Sequence, residues 1–242
     1  MKIKDALQLT EKQFDGEEFL KRQGSYQYDS EWDNNLFWDN ERISKEVKNR
    51  KINSLIAKND DISRSPIIIK MLKKIKPLPK DFSLIDLGCG MAGVVKEIKK
   101  KFPHSDLYGV DVFTSWGVCP DDDIFKFYEL DFMKLLKLDF QCDVALMLNL
   151  YHSPHTFQVS GVENNDINND KLKVFMKNLE KGISSKFDYF ITLLNYKQYE
   201  SFKNGVSHYS KIPIKIIYEE PFPIGDCSVS QWVVVEFEDN TK

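Results

Sequence analysis

The chain predicts an α/β fold built on a mostly parallel sheet, and three stretches carry that prediction. Ser83-Leu84-Ile85-Asp86-Leu87 is a short apolar run that breaks into Gly88-Cys89-Gly90-Met91-Ala92-Gly93. Val94, Val95 and Ile98 follow at helical spacing, so the stretch reads as strand, tight turn and helix. Leu107 to Val112 is a second apolar run ending in an acid, as a parallel neighbour joined through that helix would be. Cys142 to Leu148 is apolar almost throughout, the pattern of a central strand covered on both faces.

The remaining elements follow in order. Residues 1–40 read as polar and irregular, yet Phe14, Phe19, Tyr26, Tyr28, Trp32, Phe37 and Trp38 make them too aromatic for a disordered tail. Such a segment either straps across the core or covers a ligand. Residues 41–58 read as a basic helix with Ile43, Val47, Ile52, Leu55 and Ile56 on one side. A second helix is expected to start at Ser65-Pro66, a capping residue followed by proline, and to bury Ile68, Met71, Leu72 and Ile75. Pro77 to Asp81 leads into the first strand. Phe113 to Asp123 leaves little room for a helix before a third strand, Ile124 to Leu130. Leu172, Phe175, Met176, Leu179 and Ile183 repeat at helical spacing, Phe187 to Leu194 is a fifth strand, and Tyr196 to His208 a helical connection. Ile212 to Tyr218 and Trp232 to Phe237 close the chain as an antiparallel pair.

Composition narrows the function classes. At 242 residues, 42% of them hydrophobic, the chain suits one α/β domain with an N-terminal extension. Lys+Arg of 34 against Asp+Glu of 37 gives a net charge of −3, so no global basic field recruits nucleic acid. Basic residues do outnumber acidic ones between Arg42 and Lys80, and a solvated helix face is the expected reading of that excess. Cys89, Cys119, Cys142 and Cys227 are scattered, without the spacing of a zinc site or a disulfide framework, which suits the cytoplasm. No signal peptide or membrane span is expected from Met1-Lys2-Ile3-Lys4-Asp5, and no membrane partner.

The glycine turn carries the chemistry. Glycines let the chain bend sharply and let backbone approach a ligand, and the following helix N-terminus offers free N–H groups. Gly88-x-Gly90-x-x-Gly93, with Asp111 18 positions beyond Gly93, satisfies a dinucleotide-binding spacing. Asp86 argues against that ligand, because a carboxylate before the first glycine repels an arriving pyrophosphate. It suits a ligand that brings an ammonium group and no phosphate.

Ile85-Asp86-Leu87-Gly88-Cys89-Gly90 thereby resembles motif I of the class I S-adenosylmethionine-dependent methyltransferases. That family usually places its third glycine where Ala92 stands here. The resemblance covers roughly residues 65 to 238 and implies a Rossmann-like, mostly parallel seven-stranded sheet with helices on both faces and a C-terminal antiparallel hairpin. It divides the chain into an extension, 1–64, and a methyltransferase domain, 65–242. It implies S-adenosylmethionine as cofactor, with S-adenosylhomocysteine as product, held by Asp86, Gly88, Cys89, Gly90, Asp111, Val112, Phe113, Asp131, Phe132 and Asn149. Asp111 would hold the ribose hydroxyls, and Asp131 would accept from the adenine amino group. Asn149-Leu150-Tyr151-His152-Ser153-Pro154-His155 resembles the run that small-molecule methyltransferases carry after the fourth strand, without the Pro-Pro of amino-methylating nucleic-acid enzymes. His152, with Tyr151 and His155 beside it, is the candidate general base, better placed than His104 or His208. Tyr28, Trp32, Trp38 and Arg42 are candidate lid or acceptor residues, with no metal. The expected acceptor is a small polar molecule, most concretely a sugar or nucleotide-linked sugar O-methylated for a bacterial surface polysaccharide. Two alternatives are an RNA methyltransferase using the basic 42–80 face and a non-catalytic cofactor-binding module.

Overall fold

The computed structural model describes residues 1–15, 64–89, 92–111, 126–148, 170–224 and 228–238. In it the apolar runs become β1 (Ser83–Leu87), β2 (Asp106–Asp111), β3 (Lys126–Glu129), β4 (Cys142–Met147), β5 (Phe187–Leu194), β6 (Ile214–Ile224) and β7 (Ser228–Phe237). They form one sheet in the order β3-β2-β1-β4-β5-β7-β6. The first five strands pair in parallel, and β7 runs antiparallel to both β5 and β6. Helices α1 (Ile3–Lys12), α2 (64–72), α3 (Gly93–Lys101), α4 (Phe132–Leu135), α5 (Asp170–Ser184) and α6 (Tyr196–Lys203) surround it.

Alternation along each strand feeds two cores, one on each face. On β1, Ile85 and Leu87 join Val110, Met147, Phe190 and Val233 under α1, α4 and α5. Leu84 points the other way, into a cluster of Val144, Leu146, Ile191 and Trp232 closed by α2 and α3. Ile68, Met71, Leu72 and Ile75 are buried there as expected from their spacing. Helix α2 already includes residue 64, so Ser65 lies within the helix and does not precede it.

Helix α1 corrects the irregular reading of the N-terminus. Ile3, Ala6, Leu7 and Thr10 are buried at i, i+3, i+4 and i+7, a stripe on one face of a helix. The stripe is only two turns long, and a window drawn over residues 1–40 dilutes it. Glu11 then accepts a hydrogen bond from the Glu129 N–H at 3.1 Å, which satisfies a donor on the edge strand β3. The aromatic residues from Phe19 onward in the N-terminal segment lie outside the described residues.

The C-terminal hairpin is longer than its apolar core. Glu219-Glu220-Pro221 halts an apolar reading at Tyr218, yet β6 continues to Ile224. It is the last strand in the sheet order, and an edge strand tolerates prolines because its outer N–H positions meet no ladder. Strand β5 ends where Leu194 pairs with Gln231, so Ser228 to Ser230 of β7 and their partners on β6 overhang it. The helical connection after β5 stops at Lys203 and does not reach His208, because Gly205 takes a φ of 74° and turns the chain.

Candidate functional site

The strand order reverses between β1 and β4. Chain leaving β1 turns toward β2 and chain leaving β4 turns toward β5, so a crevice opens at their carboxyl ends. The glycine turn stands at that point. Gly88 adopts a φ of 78°, a conformation that favours glycine. The Gly88 and Cys89 N–H groups both donate to the carbonyl of Val110, at 2.8 and 3.0 Å. One backbone acceptor at the end of β2 therefore pins the start of the turn beside Asp111.

Asp86 occupies the last turn of β1, in register with Gly109 on β2 and Leu146 on β4, and is 3% exposed. A carboxylate in the middle of a sheet is costly unless it meets donors or positive charge. Gly109 leaves room on one side of it. Asp111, half-buried, ends β2 opposite Glu129, and its carbonyl accepts from the Leu130 N–H at 2.9 Å. The turn and the two acids expected from the sequence thus meet at one end of two adjacent strands.

The departure at Ala92 has a definite geometry. Ala92 is the residue before α3 and adopts φ 55°, ψ 26°, the left-handed conformation in which the family's glycine would be at ease. Such a residue costs about 1–3 kcal/mol. Ala92 is fully buried, and its methyl gains about 0.8 kcal/mol from leaving water. Alanine also restricts the unfolded chain relative to glycine by about 0.4–1 kcal/mol. The three terms nearly cancel, which is why alanine serves here. The N-terminus of α3 has no side-chain cap at Ala92 and no acidic residue in its first turn, so the positive end of its dipole is not offset from within the helix.

Asp131 has a second occupation. It is the N-cap of α4, and its Oδ1 accepts from the Met133 N–H at 2.8 Å. Phe132 packs its ring into the core with α1 and β3. His208 lies beyond α6 with its Nδ1 2.9 Å from Ser201 Oγ, in the connection that leads into the start of β6, and His104 follows α3. Both lie toward the amino end of the sheet, away from the crevice. Gly90, Val112, Phe113, Asn149, Tyr151, His152, His155, Tyr28, Trp32, Trp38 and Arg42 lie outside the described residues. What is described of the approach to Asn149 is firm: Thr192 Oγ1 on β5 donates to the Met147 carbonyl at 2.9 Å and fixes the end of β4.

Sequence reasoning missed two features of this site. The tie from the turn to Val110 depends on strand register, which no local pattern encodes. The left-handed Ala92 had a faint signal, a small residue standing where the family places glycine.

No protein-family model matches the chain, and no curated protein does. Solved structures do. TrmN from Thermus thermophilus is 14% identical with a TM-score of 0.50, over 72% of this chain and 49% of that one. The chain therefore spans about half the length of TrmN. Magnesium protoporphyrin IX methyltransferase from Synechocystis PCC 6803, with S-adenosylmethionine bound, is 15% identical over 72% and 79% of the two chains, at a TM-score of 0.46. Human N-acetylserotonin methyltransferase is 13% identical over 82% and 58%, at 0.48. The strand order and the likeness to TrmN give the fold: the chain has the Rossmann-like fold of the class I methyltransferases. Among the described residues no helix is long and apolar enough to cross a membrane.

Proposed function

We propose that the chain is an S-adenosylmethionine-dependent methyltransferase, and one observation carries the reading. A buried carboxylate, Asp86, stands directly before a glycine turn that ends in a helix N-terminus with no side-chain cap. A pyrophosphate would meet that carboxylate with repulsion, whereas an amino-acid ligand brings an ammonium group for it and a carboxylate for the helix end. The residues present fit S-adenosylmethionine. Asp86, Gly88, Cys89 and Gly90 would hold its amino-acid part, and Asp111 its ribose, with Val112, Phe113, Asp131 and Asn149 beside the adenosine. The ring of Phe132 is committed to the core, so its contribution would come through the main chain.

When bound, the cofactor supplies a methyl group already activated on a sulfonium sulfur. The protein's own work is then alignment and exclusion of water, worth up to about 7–11 kcal/mol for well-placed partners. The turn pinned to Val110 and the strand end fixed by Thr192 hold the two halves of the crevice in a set relation. His152, with Tyr151 and His155 as deputies, would take the proton of a hydroxyl acceptor. Tyr28, Trp32, Trp38 and Arg42 would line the acceptor side, within an extension of residues 1–64 whose helix α1 packs on the core of the 65–242 domain.

For the acceptor, the net charge of −3 favours a small polar molecule, and a sugar or nucleotide-linked sugar is the concrete form proposed. A nucleic acid is the second reading, and the uneven distribution of that charge favours it. Transfer of radiolabelled methyl from S-adenosylmethionine tests the class: product from nucleotide sugars or from RNA that disappears in His152→Ala supports the proposal. Labelled product undiminished by His152→Ala would remove histidine from the reaction. Absence of any transfer with cofactor bound would favour a regulatory module.

A further inference from the structure

The charge of this chain is segregated. Between Arg64 and Asp106 the sequence has ten Lys and Arg against four Asp and Glu, a local +6 on a chain whose total is −3. One of those four acids, Asp86, is buried, so the surface of this stretch is more basic still. The structure puts the stretch on one face. Helices α2 and α3 bury their apolar sides in the same core cluster and turn their lysines outward. The chain after α2 then meets the chain after α3. Phe82 and Phe102 pack edge to face at 5.3 Å, and the Asp106 N–H donates to the Phe82 carbonyl at 2.9 Å. The segment that leads into β1, with Lys73, Lys74, Lys76 and Lys80, thus lies at the same amino end of the sheet as the last turn of α3, which holds Lys99, Lys100 and Lys101.

Several of these lysines have no internal task. Lys70 is committed to Glu220 at 2.6 Å, Lys100 to Glu97 at 2.6 Å, and Lys99 donates to the Ser105 carbonyl at 2.6 Å. Lys73, Lys74, Lys76, Lys80 and Lys101 are exposed and form no ion pair among the described residues. Five unpaired like charges on one surface repel one another, and a polyanion relieves that repulsion. A membrane is a poor candidate, because interfacial binding needs apolar side chains beside the basic ones. Among the described residues the exposed large hydrophobic side chains are Met1, Leu9, Val174 and Tyr196, none of them on this face.

We propose that this face, formed by the turn after α2 and the last turn of α3, binds the phosphate backbone of a nucleic-acid strand. The proposal rests on the methyltransferase reading for its consequence, that the acceptor group lies on the strand so held. Lysines are point charges and read phosphate, not bases, so recognition here is independent of sequence. The face lies toward the amino end of the sheet and the crevice at the carboxyl end. A strand of five residues at about 3.3 Å each separates them by about 16 Å. At about 3.4 Å of rise per nucleotide that is about five nucleotides, so the face holds the strand at a distance from the reacting group. Lys96, in the first half of α3 and half-buried, lies on the way.

The test is fluorescence anisotropy with a labelled 20-nucleotide oligouridylate, repeated between 50 and 300 mM salt. The variant carries Lys73→Glu, Lys76→Glu, Lys80→Glu and Lys101→Glu together. The expected result is binding by the unaltered chain whose log K falls with log salt at a slope near −3, about 0.7 for each of four phosphates. The variant should bind at least 30-fold more weakly and keep its thermal shift with S-adenosylhomocysteine, since none of the four lies at the crevice. Equal affinity for oligothymidylate supports the proposal, because backbone contacts do not read the 2′-hydroxyl. Absence of oligonucleotide binding at 50 mM salt, equal binding by the variant, or binding to phosphatidylserine vesicles in place of the oligonucleotides would overturn it. A chain that binds the oligonucleotide but not S-adenosylhomocysteine would defeat the methyltransferase reading and leave the phosphate-binding face standing.

Discussion

The two ends of β1 are built on opposite plans. At the amino end, Asp143 Oδ2 accepts from both the N–H and the Oγ–H of Ser83, each at 2.7 Å, and Ser83 Oγ accepts from the Asp143 N–H at 3.0 Å. Serine and aspartate satisfy one another across the β1–β4 pair. At the carboxyl end, a carboxylate is buried at Asp86, a glycine and an alanine take positive φ, and α3 starts without a side-chain cap. The difference separates tasks. One end closes its hydrogen bonds between serine and aspartate and contributes stability, and the other sets a buried carboxylate and an uncapped helix start beside a crevice.

That contrast can be broken by substitution, and the largest effect is expected at the amino end. Asp143→Ala removes two charge-assisted hydrogen bonds and leaves the N–H and Oγ–H of Ser83 without their acceptor. It should lower unfolding free energy by about 3–5 kcal/mol, read by urea denaturation, with affinity for S-adenosylhomocysteine unchanged. A loss of affinity equal to the loss of stability would mean that the two ends do not act separately.

The smallest effect is expected at Ala92. Ala92→Gly releases left-handed strain of about 1–3 kcal/mol, loses a buried methyl worth about 0.8 kcal/mol and frees the unfolded chain by about 0.4–1 kcal/mol. Its stability should lie between about 1 kcal/mol below and about 2 kcal/mol above the parent, and cofactor affinity should persist because the turn keeps its shape. A destabilisation beyond that would show that the methyl, not the turn, is what this position needs.

The same contrast explains what could be read in advance. Strand β5 was legible to its last residue, Phe187 to Leu194, because it is apolar except at Asp188 and Thr192 and the polar Asn195, which caps α6, follows. Asp86, Gly88 and Asp111 were legible because each belongs to a local pattern, acid before glycine or acid at a strand end. Helix α1 was lost because two turns of amphipathic stripe disappear in an aromatic, polar window. The extension of β6 was lost because Glu219, Glu220, Pro221 and Pro223 are poor strand formers in general, though tolerated at an edge. The basic face was half visible: the turn after α2 stood out, while the last turn of α3 joins it only through the Phe82–Phe102 contact. Long-range register supplies what local pattern cannot.

The central claim is that the carboxyl end of β1 and β2 is a site for S-adenosylmethionine. Calorimetric titration of S-adenosylhomocysteine tests it most directly, with the parent chain, with Asp111→Ala, and with NAD in place of the sulfur cofactor. Saturable binding is expected for the parent and none for NAD. Asp111→Ala should stay folded and bind about 1–3 kcal/mol more weakly, the range for losing charged hydrogen bonds. NAD binding without S-adenosylhomocysteine binding, or unchanged affinity in a folded Asp111→Ala chain, would contradict the account.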